Sequence, residues 1–111
     1  MICVEWLWCG ERIGGFSITG HSGFAEEGRD IVCAAVSALS QTAALGLIDI
    51  LKADPVIRHQ KGDMYVRTAP ERCSSEVDLI LRTMKLGMEA IQKEYPGHLE
   101  IRNGRNSDVS V

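Results

Sequence analysis

A chain of 111 residues with 45% hydrophobic and 24% charged residues has the balance of a globular protein and material for one core, read here as one domain over residues 1–111. Its formal charge of -3 argues against nucleic acid as a partner, because phosphate contacts need clustered Lys and Arg, and these are interspersed with acids. No apolar run is read as reaching the roughly 18 residues that cross a bilayer, and "MICVEWLWCGER" lacks the basic start and cleavage site of a signal peptide. The expectation is therefore a cytoplasmic protein without membrane attachment, whose four cysteines stay reduced. There is no C-x-x-C pair, so no metal and no cofactor is expected, and Cys3, Cys9 and Cys73 are read as small hydrophobes.

Residues 2–9 place Ile2, Val4, Trp6 and Trp8 in alternation with Cys3, Glu5, Leu7 and Cys9, the period of a strand. Gly10 turns the chain, and "IGGFSITG" over 13–20 reads as a second strand weakened by its glycines, which puts His21 at the end of a hairpin. From Asp30 to about Leu51 the sequence is apolar nearly all round and rich in small residues, a helix packed closely on a sheet. Cys33, Ser37 and Gln41 form a polar ladder on one stripe of it. After Pro55, "VIRHQ" and "MYVRTA" flank Gly62 as a second hairpin. Ser74 or Ser75 can cap a second helix to about Tyr95, with Val77, Ile80, Leu81, Met84, Met88 and Ile91 at helical spacing; Pro96 and Gly97 stop it. "HLEIR" at 98–102 is a last strand, with a tail expected to fray from about 103. The order β-β-α-β-β-α-β implies an α+β two-layer sandwich, one mixed or antiparallel sheet packed against two helices.

The chemistry concentrates in "GHSGFAEEGRDIVCAA", residues 20–35. With Asp30 as N-cap, Cys33 lies in the first helical turn, where unpaired N–H groups and the positive end of the helix dipole favour a thiolate. His21 can take the thiol proton and return it to a leaving amine, and N–H groups of the same turn can receive an oxyanion. Asp30 is read as cap or as the group orienting His21; both readings stay open. Gly23 and Gly28 are flexible points and Phe24 an anchor of a loop able to close over a peptide, while His59 and His98 are read as surface residues. Ser37, one turn beyond Cys33, is a supporting position, more simply a helix residue bonded to its own backbone. The bland alternative is a buried thiol beside a solvent-facing histidine.

"GHSGFAEEGRDIVCAAVSAL" closely resembles the signature of the ribosomal-processing cysteine protease family Prp, most strongly over residues 20–39. The resemblance implies a cysteine endopeptidase that removes the N-terminal extension of a large-subunit ribosomal protein, cutting after Phe-Ala, and that forms a homodimer. It implies catalytic roles for His21 and Cys33 and carries the family's aspartate onto Asp30 and its loop glycines onto Gly20, Gly23 and Gly28; Ser22 and Phe24 lie in the same candidate substrate-binding loop, and Asp30 and Ser37 are candidate supporting residues. Ser22 stands where the family often carries alanine. The competing function is a non-catalytic binding or assembly module that docks a basic ribosomal protein without cutting it; a hydrolase of small thioesters or amides using the same dyad is a third.

Overall fold

The computed structural model describes residues 1–26 and 29–106. Strands β1 (Ile2–Cys9) and β2 (Arg12–Thr19) form the first hairpin, and helix α1 (Ile31–Leu45) continues without a break into a π-turn over Gly46–Ile50. Strands β3 (Val56–Gln60) and β4 (Asp63–Arg67), helix α2 (Ser75–Glu94) and strand β5 (Leu99–Asn106) follow. One five-stranded sheet has the order β3-β4-β2-β1-β5, antiparallel throughout except for the β1–β5 pair, and is therefore mixed.

The two periodicities build the core. Ile2, Val4 and Trp6 are buried from β1, and Val77, Leu81, Met84 and Met88 line one face of α2. Ser74 caps α2 by accepting the N–H of Val77 at 3.1 Å. In β2 the buried apolar side chains are Ile13, Phe16 and Ile18, which no regular alternation places on one face. A bulge resolves this. Leu7 pairs with Gly15 and Trp8 with Ile13, so Gly14 is an extra residue that flips the phase of the strand. The Ile13 N–H then goes to Asp78 Oδ1 of α2 at 2.7 Å, and Gly14 C=O accepts the N–H of Thr68 at 2.8 Å.

Three sequence expectations change. Cys9 and Cys73, 64 residues apart, form a disulfide instead of acting as separate small hydrophobes, and a Cβ on Gly14 would lie 2.8 and 2.9 Å from their sulfurs. Cys3 and Cys33 are the free thiols. The 20-residue helical stretch Ile31–Ile50 is, by length and composition alone, sufficient to cross a bilayer, although no such run was expected; in the fold it packs on α2 and buries Val32, Val36, Ala43, Ala44 and Leu47 in the core. Strand β5 also runs on to Asn106, pairing Asn103 with Trp6 and Asn106 with Trp8, so residues 103–106 of the tail expected to fray are a sheet edge. The rest of that tail, 107–111, lies outside the described residues.

Candidate active site

His21 and Cys33 are delivered by different elements to one place. Strand β2 ends at Thr19, and the Gly20 N–H bonds to Gly62 C=O in the β3–β4 turn at 3.0 Å. Gly20 has φ +88°, and a Cβ there would collide with the Met1 carbonyl, so only glycine lets the strand end fit between hairpin and N-terminus. His21 follows directly and its ring lies against Gly62: a Cβ at that position would sit 3.1 Å from Nε2.

Asp30 sets Cys33. In extended backbone geometry it caps α1, its Oδ1 accepting the N–H groups of Val32 and Cys33, each at 3.0 Å. Its Oδ2 accepts the hydroxyl of Ser22, which in turn accepts the Phe24 N–H at 3.0 Å. Ser22 is 3% exposed, and its own N–H points at Cys33 Sγ, 3.5 Å away. Burial would raise the Asp30 carboxyl, but the bonds from Ser22 and from the Cys33 N–H outweigh it and hold the group at about 2. Of the two readings of Asp30, the geometry carries the cap; its second oxygen bonds Ser22.

The N–H groups at the helix start are engaged within the fold. The N–H groups of Val32 and Cys33 are occupied by the Asp30 side chain, and that of Ala34 bonds Asp30 C=O at 3.0 Å. A buried cap that binds two donors at once leaves neither for an oxyanion.

Two recesses meet at the pair. The smaller, about 120 Å³, runs between α1 and the β3–β4 hairpin, with Ile18 and Val36 among its apolar lining and Ser40, Gln41 and His59 among its polar groups. The larger, about 500 Å³, opens on the loop side past Gly23, Ala25 and Lys61. Cys33, His21 and Ser37 border both, so the ladder read on α1 does line a cleft. Gly28 lies outside the described residues. Among the described residues no group of three or more His, Cys, Asp and Glu side chains is arranged to hold a metal.

His98, expected at the surface, is half-buried and its Nδ1 lies 2.9 Å from Ser22 C=O. The Phe24 ring packs edge-on to Tyr95 at 5.3 Å and to His98 at 5.4 Å between centroids. These partners were invisible locally, since His98 is 76 residues from Ser22. The one available signal was Pro96-Gly97, a turn that fixes the direction of whatever follows it.

A loop histidine and a thiol in the first turn of a capped helix, sharing a cleft on an α+β sandwich, define a thiol-dependent hydrolase of the cysteine protease class. Residues 1–100 match the model of the family described as Cysteine protease Prp, and the chain belongs to that family. The ribosomal processing cysteine protease Prp of Bacillus subtilis is 30% identical over 91 residues, 78% of this chain and 81% of that protein. The Staphylococcus aureus protein of the same name is 30% identical over 84 residues, 74% of this chain and 78% of its own. Among solved structures, Staphylococcus aureus Prp with a covalently linked product peptide superposes with TM-score 0.86 at 26% identity, covering 94% of this chain and all of that one. The same enzyme with a substrate peptide gives TM-score 0.80 at 26% identity and equal coverage.

Proposed function

We propose that this cysteine protease removes the N-terminal extension of a large-subunit ribosomal protein, cutting after Phe-Ala, in the cytoplasm and as a homodimer. The observation that carries the reading is that Cys33 and His21 stand together between two recesses, which lets a chain cross the thiol with residues on both sides of the cut. The names of the relatives support the ribosomal substrate.

In this reading His21 takes the Cys33 proton and the thiolate attacks the scissile carbonyl, forming a C–S bond. The tetrahedral intermediate collapses as the C–N bond breaks, with His21 protonating the leaving amine. Water, deprotonated by His21, then attacks the thioester; the carboxyl product leaves and the proton returns to sulfur. Asp30 caps the helix start that carries Cys33, and the Ser22 side chain ties the histidine loop to it. The Ser22 N–H, a hydrogen-bond donor 3.5 Å from Sγ, stabilises the negative sulfur.

The test mixes the purified chain with the precursor ribosomal protein and reads product masses, with Cys33→Ser alongside. Loss of a short N-terminal segment with the wild type alone supports the reading and locates the cut. An intact precursor that co-purifies with the chain overturns it in favour of a binding module.

A further inference from the structure

We propose that His98 is a positioning residue of this active site, acting through the backbone of Ser22. The inference rests on the protease reading and adds to it a residue far from the motif. His98 is fixed independently of the loop that it holds. It closes a turn over Tyr95-Pro96-Gly97-His98, with its N–H on Tyr95 C=O at 3.2 Å and Gly97 at φ +89°, the proline and glycine pattern of a type II turn. Its C=O accepts the Ile2 N–H at 3.1 Å, tying the turn to the start of strand β1, which is interior to the sheet. From this rigid base Nδ1 reaches Ser22 C=O at 2.9 Å. A carbonyl only accepts, so Nδ1 carries the proton.

Ser22 is the point through which this bond acts. Its N–H is directed at Cys33 Sγ, its hydroxyl at Asp30 and its C=O at His98, so every polar group it has is committed. Each peptide unit is planar. Holding the N–H of one unit and the C=O of the next fixes both planes that flank residue 22, and the first of them is the peptide that begins at His21. Without the His98 bond, the second plane is held only through the serine side chain and through Phe24 packed on Tyr95 and His98. The N–H on sulfur and the placement of His21 then loosen together.

The experiment uses the full chain and a synthetic peptide spanning the extension and its cut site. His98→Phe keeps a ring against Phe24 and removes the donor; His98→Asn removes the ring and places an amide N–H near the position of Nδ1. The expected result is a fall in kcat of about three- to tenfold for the Phe variant with KM little changed, and recovery to within about twofold in the Asn variant. Wild-type kcat in the Phe variant, or an Asn variant as slow as it, overturns the proposal. The 15N signals of the wild-type imidazole give a readout independent of turnover. A proton on Nδ1 is expected, and the Nε2–H tautomer overturns the proposal even where cleavage is normal. No cleavage by wild type, with the Nδ1 proton in place, overturns the protease reading instead.

Discussion

Ser22 and Asp30 share a buried hydrogen bond that joins the histidine loop to the helix bearing Cys33, while the other oxygen of the same carboxylate caps that helix. This carboxyl is held at about 2, below its ordinary 3.8, so its ionised form is favoured by folding. The contribution is fully present above the ordinary value and is lost as pH falls from about 4 to about 2. Asp30→Ala should cost about 1 to 2 kcal/mol near neutrality, the scale of a lost N-cap. Denaturant unfolding of both proteins at a series of pH values should show the two stabilities converging toward pH 2. A gap that stays constant to that pH would mean that the ionised carboxylate is not its source.

Ser22→Ala separates the loop's backbone from its side chain. The N–H toward Cys33 and the C=O toward His98 belong to the main chain and survive. What goes is the hydroxyl on Asp30 and the acceptor for the Phe24 N–H. A stability loss of about 1 to 3 kcal/mol is expected from the group left without its partner, together with an acid limb displaced upward toward the ordinary carboxylate range. Cleavage should persist within a few-fold, because the backbone contacts to Cys33 and His98 remain. A collapse of kcat at unchanged fold would give the hydroxyl a direct part in the reaction.

Gly62→Ala tests the seat of His21 without replacing either member of the dyad. Gly62 has φ +78°, so any side chain carries backbone strain of roughly 1 to 2 kcal/mol. The added methyl would also lie 3.1 Å from Nε2 and 3.2 Å from Cε1 of His21. The ring must move. The expected outcome is a kcat loss larger than the stability change explains, read from cleavage rates at a temperature where both proteins are fully folded. Unchanged kcat would show that the ring has room to turn within the cleft.

What the sequence disclosed follows from which interactions are local. Alternation placed Ile2, Val4 and Trp6 inside, helical spacing placed Val77, Leu81, Met84 and Met88, and Asp30 announced a cap three residues before Cys33. All of these act within a few residues, where periodicity and capping chemistry operate. The parallel pairing of β5 with β1, the Cys9–Cys73 disulfide and the hold of His98 on Ser22 join residues at least 64 apart, and no local preference encodes them. The occupied N–H groups at the helix start show the converse. The sequence offers Asp30 as a cap, but not the stoichiometry of one carboxylate oxygen to two donors, and that stoichiometry engages the Val32 and Cys33 N–H groups.

Asp78 is the corresponding long-range anchor on the far side of the molecule. Gly14 is the extra residue of the bulge, and beside it Asp78 Oδ1 receives the Ile13 N–H at 2.7 Å. The same carboxylate holds Arg82 at 2.8 Å, whose guanidinium donates to Glu11 C=O at 2.7 Å and lies 5.4 Å from the centre of the Trp8 ring. One side chain thus secures the bulge that lets Ile13 and Phe16 both reach the core. Asp78→Ala leaves the Ile13 N–H without a partner and should cost about 1 to 3 kcal/mol. Asp78→Asn keeps an acceptor for Ile13 and loses only the charge toward Arg82, an exposed pair of modest value. Its stability should therefore fall between wild type and the alanine variant, nearer wild type, in urea unfolding at neutral pH. If Asn and Ala cost the same, the ion pair with Arg82, and not the bond to the bulge, is what Asp78 contributes.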